Sequence, residues 1–302
     1  MGFVIGKEGN EMKVEEIMAK DVISVDKDEE LMKALEIVKR GYTKIPVIDK
    51  GRFIGLVTDG EIANKLGSIR TRNVLPSKLH VASVMVKDIP FVSPETSVDD
   101  VLEMVGLPGP TMLPVIRNKK LVGVITKADL LPYVKSKVPV EWVMNKNAKC
   151  VAEDDRIIYA RRLMLESDIQ RLPVHRDGKL VGIISESDIA LAFAGFKEKV
   201  PLNHQGARIK ELLIGDFMRR NVVSASPGMS VKDAAALMLK KGVGCLPIVD
   251  ESGKILGIAS RTDVIRTIAA EPKEPKPVAP EAPPIRKGKR KWQISQRRPQ
   301  RR

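Results

Sequence analysis

Side chains that usually carry chemistry are scarce in this sequence. Only two cysteines and three histidines occur among the 302 residues, and aromatic residues make up 4%. Cys150 and Cys245 each stand at an apolar position, which favours small buried residues over a disulfide or a reactive thiol. His80, His175 and His204 lie in different contexts with no second ligand at metal spacing, so the sequence predicts no metal site.

Catalytic motifs and long apolar runs are also missing. The sequence has no Ser–His–Asp or Cys–His set, no Walker loop and no Rossmann glycine fingerprint, which argues against the enzyme classes that these motifs mark. No run approaches the roughly 18 apolar residues of a membrane span, and the N-terminus lacks the apolar stretch of a signal peptide. We therefore expect a cytoplasmic protein without enzyme activity.

The sequence does contain one unit repeated four times. Its marker stretches are GLVTDGE at 55–61, GVITKAD at 123–129, GIISESD at 182–188 and GIASRTD at 257–263. Each follows a proline by nine or ten residues and a methionine by 37 to 39 residues. The prolines are Pro46, Pro114, Pro173 and Pro247, and the methionines are Met18, Met85, Met144 and Met218. Three landmarks in register four times indicate a repeat architecture.

Each repeat is predicted to fold as strand, helix, strand, strand, helix. In the first repeat, residues 22–25 alternate like a strand, and a helix follows over 31–38, capped by Asp26 or Asp28. Residues 44–48 and 53–57 predict a hairpin, and a second helix follows over 59–66. In the second repeat, Pro108 and Pro110 truncate the first helix after Val105, leaving either a tolerated loop or a reshaped cleft or partner-binding edge. Residues 195–208 predict a longer connection after the third repeat.

This order resembles the cystathionine-β-synthase (CBS) domain, as do Met-x-x-Asp-Val at 18–22, Ile-Pro-Val at 45–47 and Gly-Leu-Val-Thr at 55–58. The resemblance covers residues 14–70, 80–135, 139–195 and 209–270, after an N-terminal extension, 1–13. It implies an α/β (α+β) fold in which repeats 1 with 2 and 3 with 4 pair into two Bateman modules, each with two clefts between facing hairpin sheets. Archaeal four-CBS proteins and the γ subunit of AMP-activated kinase share this organisation.

The resemblance also implies a ligand, because CBS clefts hold an adenine nucleoside or nucleotide. In the family, the Ser or Thr after the glycine strand donates to phosphate, and the acid three residues later accepts from the ribose hydroxyls. The candidate pairs are Thr58 with Glu61, Thr126 with Asp129, Ser185 with Asp188, and Ser260 with Asp263. Glu61 is one methylene longer than the usual Asp, which weakens the prediction of ribose recognition in repeat 1. The expected ligand is AMP, ADP or ATP without a metal, and repeats 3 and 4 are the better candidates to hold it.

Basic residues near these pairs are candidates for phosphate contacts. They are Lys127, Arg171 and Arg261, and an arginine can bind phosphate through a bidentate fork. The competing interpretations are structural. A Ser or Thr followed three residues later by an acid is also a helix capping box, and a single Lys or Arg is commonly a solvated surface charge.

The C-terminal segment differs sharply from the repeats. The net charge of the chain is +14, of which residues 271–302 carry +8 from eleven Lys/Arg and three Glu. Six prolines within 272–284 predict that 271–285 is an extended linker of roughly 40 Å. Residues 286–302 hold nine basic residues and no acid, which predicts a disordered tail.

Such a tail suits a nucleic acid, because cations neutralise phosphates and an indole stacks on an unpaired base. The candidate RNA contacts are Arg286, Lys287, Lys289, Arg290, Lys291, Trp292, Arg297, Arg298, Arg301 and Arg302. RNA, above all ribosomal RNA, is the favoured partner; DNA and acidic or ribosomal proteins remain alternatives, and a membrane is the least favoured.

Together these features predict a non-enzymatic regulator. It would sense adenine nucleotides through its CBS clefts and bind the ribosome through its tail, as a ribosome-associated inhibitor or hibernation-type factor. The alternative is a nucleotide-sensing regulatory subunit of a partner enzyme, like the γ subunit of AMP-activated kinase. Homodimerisation is open.

Overall fold

The computed structural model describes residues 11–71, 73–106 and 110–269. The predicted Pro-rich linker and basic tail, with all ten candidate RNA contacts, lie outside these residues. Repeat 1 opens with a short helix, α1 (Val14–Ile17). It continues with β1 (Val25–Asp26), α2 (Leu31–Lys39), β2 (Lys44–Asp49), β3 (Arg52–Thr58) and α3 (Asp59–Leu66).

The other repeats follow the same order. Repeat 2 consists of α4 (Val98–Val105), β4 (Met112–Arg117), β5 (Lys120–Thr126) and α5 (Lys127–Leu130). Repeat 3 consists of β6 (Val151–Ala152), α6 (Ile157–Ser167), β7 (Arg171–Arg176), β8 (Lys179–Ser185) and α7 (Glu186–Lys199), and α8 (Leu202–Arg208) follows it. Repeat 4 consists of α9 (Val231–Lys241), β9 (Cys245–Val249), β10 (Ile255–Ser260) and α10 (Arg261–Ala269).

Each repeat is built on an antiparallel hairpin, and in repeats 1 and 3 a short parallel strand joins it. In repeat 1, β1 pairs with β2 only through Val25 with Val47 and Asp26 with Ile48. In repeats 2 and 4 the corresponding strand is reduced to single bridges, Val92 with Val115 and Ala225 with Ile248.

Two local expectations in repeat 1 are wrong. The strand expected over 22–25 spans only Val25–Asp26: the Val22 N–H donates to the nearby Lys20 carbonyl (3.0 Å) rather than to a neighbouring strand, and the Asp28 N–H donates to Asp26 Oδ1 (3.0 Å), where the strand ends. Neither aspartate caps α2: its N-cap is Glu30, without a side-chain bond, and the Leu31 N–H donates instead to the carbonyl of Leu79 (2.7 Å). The Leu79 carbonyl, which is distant in sequence, thus accepts a hydrogen bond at the helix start in place of the expected aspartate side chain.

The connection expected after repeat 3 is also different. Helix α7 continues to Lys199, and α8 occupies most of the remaining segment. In repeat 2, by contrast, α4 ends at Val105, as the glycines and prolines that follow predict.

The glycine and methionine landmarks meet across paired repeats. An ideal Cβ on Gly182 would lie 2.3 Å from Met218 Sδ, and one on Gly123 would lie 2.6 Å from Met18 Sδ. Backbone bridges run beside these contacts, including Ala19 with Val124 and Ile183 with Arg219. The landmarks therefore keep register because each glycine makes room for the segment that opens its partner repeat.

The first residues of each repeat pack on the partner repeat rather than on their own repeat. The Val14 N–H donates to the Thr96 carbonyl in repeat 2 (2.9 Å), and the Val81 N–H donates to the Glu29 carbonyl in repeat 1 (2.9 Å). Repeats 3 and 4 exchange segments in the same way: Val140 bonds to Met229, and Ile214 bonds to Asp155. These exchanges tie repeats 1 with 2 and 3 with 4 into the expected modules.

Two apolar cores join the modules to each other. The first contains repeat 1 and repeat 3, with Leu35, Ile62 and Phe193 fully buried, and the second contains repeat 2 and repeat 4. Helix α3 packs against α7, and the buried Lys197 of α7 donates to the Thr71 carbonyl after repeat 1 (2.6 Å). At the other end of the two helices, Glu186 at the start of α7 lies against Gly60 at the start of α3.

Candidate functional site

In three of the four Ser/Thr–acid pairs, the Ser or Thr donates hydrogen bonds to its own acid. The Thr126 N–H and Oγ1 both donate to Asp129 Oδ2, at 2.7 and 2.8 Å. Ser260 does the same to Asp263 Oδ2, at 2.8 and 2.6 Å. Ser185 and Asp188 form the third such pair, with 2.9 Å between the Ser185 backbone nitrogen and Asp188 Oδ2. The capping interpretation thus describes these residues, and it leaves one carboxylate oxygen, Oδ1, facing away from the cap.

The Oδ1 atoms of Asp129, Asp188 and Asp263 differ in their surroundings. In repeat 3, Asp188 Oδ1 accepts from Arg219 Nε at 3.1 Å. For Asp129 and Asp263, no hydrogen bond to Oδ1 occurs within the residues that the structure describes. These two acids can still accept from a ribose hydroxyl while they cap their helices.

Repeat 1 departs from the others in structure as well as in sequence. The Glu61 N–H donates to Thr58 Oγ1 at 3.1 Å, but α3 has no capping box, because the longer Glu61 side chain does not return to Thr58. The Thr58–Glu61 pair therefore lacks the preorganised carboxylate of the other three.

The residues that directly follow the capping Ser or Thr converge between the modules. They are Asp59, Lys127, Glu186 and Arg261, the first residues of their helices. Lys127 Nζ donates to Thr262 Oγ1 at 2.6 Å, which joins repeat 2 to repeat 4. The Glu186 carboxylate lies over Gly60, which joins repeat 3 to repeat 1: an ideal Cβ on Gly60 would stand 2.6 Å from Glu186 Oε1.

Basic side chains surround this centre. The Arg171 guanidinium crosses from repeat 3 to Gly244 of repeat 4, where an ideal Cβ would lie 2.9 Å from Nη1. The Nε of Arg261 is buried and finds no hydrogen-bond partner in the described part of the chain. Burial lowers the pKa of Arg261, and the charge of Arg171 lowers it further. Burial also lowers the pKa of Lys44.

Lys127 illustrates how strongly the centre is desolvated. It is 4% exposed, so it is not a solvated surface charge. Burial lowers the pKa of Lys127 to about 8, Arg266 contributes in the same direction, and Asp263 partly opposes them. Such a lysine gains from a bound anion, which restores a partner for its charge.

Two carboxylates complete the centre, and sequence reasoning missed both. Burial raises the pKa of Asp59, against the opposing effect of Lys44 and Arg171. Burial and the charge of Asp59 raise the pKa of Glu186 to about 7. A comparison of the repeats in register would have identified Asp59, Glu186 and Lys44, because they occupy the positions of Arg261 and Arg171 in the other repeats.

Cavities lie in the second module. One of about 480 Å³ runs along α7 from Asp188 to Lys199 and is lined by Leu191, Phe196 and Phe217 among others. Another of about 210 Å³ lies between repeats 3 and 4, beside Leu180 and Arg220.

Metal, disulfide and membrane features can be judged within 11–71, 73–106 and 110–269. No group of three or more His, Cys, Asp or Glu there could hold a metal ion, and Cys150 and Cys245 are free thiols. No helix in those ranges is long and apolar enough to cross a membrane.

The repeat architecture, the exchanged segments and the paired hairpins define a protein of tandem CBS pairs. The CBS domain model matches residues 14–68, 81–136, 140–195 and 214–270, so the chain belongs to the CBS-domain family.

Three archaeal proteins are similar to most of this chain. Protein MJ1225 of Methanocaldococcus jannaschii is 24% identical over 83% of this chain and 96% of its own length. Its crystal structure, whose description proposes an archaeal homologue of γ-AMPK, covers 85% of this chain with a TM-score of 0.74 and 23% identity. Protein MJ1404 of the same organism is 32% identical over 85% of this chain and 62% of its own length. A 33.4 kDa protein in a ribosomal RNA operon of Thermofilum pendens is 24% identical over 73% of this chain and 79% of its own length.

Proposed function

We propose that the four repeats form a non-enzymatic regulator that binds an adenine nucleotide, with its phosphates at Lys127 and Arg261. The observation that carries this proposal is the buried Arg261 Nε, which has no partner among the described residues, together with the desolvated Lys127, which donates to the adjacent Thr262. A buried donor without an acceptor is costly, and a phosphate oxygen would relieve that cost. Asp129 and Asp263, each with one oxygen outside its capping box, are the ribose acceptors in this proposal.

The proposal is tested by titrating adenosine and AMP into the protein in a calorimeter. Arg261→Gln should weaken AMP binding at least ten-fold and leave adenosine binding unchanged, because the guanidinium would contact only phosphate. The matched control is Arg52→Gln, at an exposed position of β3. Equal affinities of the wild type for adenosine and AMP, or an Arg261→Gln protein that binds AMP normally, would contradict the assignment.

We further propose that the basic segment 286–302 binds ribosomal RNA and so connects nucleotide binding to the ribosome as an inhibitor or hibernation-type factor. The support is its nine cations and Trp292 in the sequence, together with the relative encoded in a ribosomal RNA operon.

Co-sedimentation with ribosomes tests this part of the proposal. Deleting 286–302, or replacing its nine basic residues by glutamine, should abolish binding, whereas a scrambled tail of the same composition should retain it. Binding of the wild type should fall steeply with salt, because each phosphate contact releases a counterion. Ribosome binding that is unaffected by the deletion would refute it.

The alternative function is a regulatory subunit of a partner enzyme. It is favoured by the fold shared with MJ1225, whose description points to γ-AMPK. In that case a stoichiometric protein complex should survive nuclease treatment of the cell extract, and the tail deletion should leave that complex intact.

A further inference from the structure

The Glu186 carboxylate stands at a place suited to an anion in repeat 1. It belongs to repeat 3, yet its Oε1 and Oε2 atoms lie 2.6 and 2.8 Å from where a Cβ on Gly60 would be. Gly60 is the second residue of α3, and the first turn of a helix lies at the positive end of the helix dipole. Any side chain at position 60 would displace the carboxylate from this place.

A second carboxylate, that of Asp59, brings the number of anions on this side of the centre to two, which equals the number of cations. Asp59, the first residue of α3, is 4% exposed, and its Oδ1 accepts from the Gly60 N–H at 3.2 Å. The cations that act on Asp59 and Glu186 are Lys44 and Arg171. Between repeats 1 and 3, the charges of Lys44 and Arg171 are therefore already balanced by those of Asp59 and Glu186.

The opposite side has the reverse arrangement. The positions that carry Asp59 and Glu186 in repeats 1 and 3 carry Lys127 and Arg261 in repeats 2 and 4. The nearest acids there are Asp129 and Asp263, and one carboxylate oxygen of each already accepts hydrogen bonds in a capping box. Repeats 2 and 4 therefore present cations where repeats 1 and 3 present anions.

We propose that Glu186 and Asp59 form a built-in anion pair that keeps phosphate groups out of the repeat 1–repeat 3 side of the centre. The phosphates of a bound nucleotide are thereby directed to Lys127 and Arg261. This inference rests on the proposed nucleotide binding, and it adds which clefts accept a phosphorylated ligand.

The exclusion depends on pH. The charged groups that face Glu186 are Asp59 of α3, Lys44 of β2, Arg171 of β7 and Asp168, which precedes β7. Because the pKa of Glu186 lies at about 7, the carboxylate is ionised at pH 8 and largely protonated at pH 6. Protonation removes one of the two carboxylates that Lys44 and Arg171 balance, so in mild acid this side has a cation available for phosphate.

The test is calorimetric titration of AMP at pH 8 and pH 6 into the wild type, Glu186→Gln and the double variant with Asp59→Asn. At pH 8, each variant should bind one more AMP per chain than the wild type, or bind AMP at least ten-fold tighter. At pH 6, the wild type should approach Glu186→Gln. Comparing the proteins at one pH cancels the titration of the ligand itself. The control is Glu198→Gln, which removes an exposed charge from the same helix and should match the wild type.

The outcomes separate this inference from the proposed function. If the wild type binds adenosine and AMP, and both variants match it in number of sites and affinity at pH 8, the inference is wrong while nucleotide binding stands. If no protein binds either ligand, both are wrong. A gain of AMP binding in the variants, with adenosine binding unchanged, supports the inference.

Discussion

Glu186 and Lys127 occupy the same position in two repeats, directly after the residue that caps the second helix, but they carry opposite charges. Burial is the largest cause of the pKa change in both: it raises the pKa of Glu186 to about 7 and lowers that of Lys127 to about 8. In each case the neutral form gains because the centre offers too little solvation to the charged one. The charge of the centre therefore responds to pH near neutrality.

At the residue scale this predicts how stability depends on pH. The pKa of Glu186 rises from 4.5 to about 7 on folding, so the protonated form stabilises the folded state. That stabilisation is present below pH 4.5 and is lost as pH rises through 7. At about 1.4 kcal/mol per pKa unit, the loss is at most about 3 kcal/mol.

Urea denaturation at pH 5 and pH 8 measures this effect. The free energy of unfolding of Glu186→Gln, relative to the wild type, should increase between pH 5 and pH 8. Glu198→Gln should show no such increase. An identical difference between Glu186→Gln and wild type at the two pH values would show that Glu186 does not titrate in this window.

At the element scale, the hairpin glycines determine how the repeats pair, and they do not tolerate a side chain equally. A Cβ on Gly55 would lie 2.3 Å from the Val86 carbonyl oxygen, which also accepts from the Leu56 N–H at 2.9 Å. On Gly182, the nearest atom is instead Met218 Sδ, near the end of a flexible side chain. The backbone at Val86 cannot move away from an added Cβ as readily as the Met218 side chain can.

We therefore expect Gly55→Ala to destabilise the protein by about 3 kcal/mol or more, and Gly182→Ala by about 1 kcal/mol. The control is Gly195→Ala in α7, where a Cβ would meet nothing within 4 Å and should stabilise the helix by up to about 1 kcal/mol. Thermal or urea denaturation of the three variants checks the order. Equal losses for Gly55→Ala and Gly182→Ala would contradict the backbone argument.

At the scale of the whole molecule, no module is independent of the other. The apolar cores each combine one repeat from each module, and the Lys197 side chain of α7 bonds to a carbonyl that precedes repeat 2. The charged centre is a product of this arrangement, because Glu186 reaches Gly60, and Lys127 reaches Thr262, only across the boundary between modules. A nucleotide bound as proposed, at Lys127 and Arg261, would therefore contact both modules.

The sequence by itself determined the number of repeats, the family, and the hairpin and two helices of each repeat, and it gave helix capping as one of two open interpretations of pairs such as Ser260 with Asp263. These features depend on local spacing, since a capping box joins residues three apart and a hairpin joins neighbouring strands. The departure of Glu61 was visible in the same way.

Only the tertiary structure decided which segments are exchanged between repeats and which charges meet at the centre. Lys127 and Thr262 are 135 residues apart, and Lys197 and Thr71 are 126 apart. No local periodicity encodes such contacts, because they arise when helices from different modules bury their apolar faces together. That is why Asp59 and Glu186, unremarkable in the sequence, become a buried carboxylate pair in the folded protein.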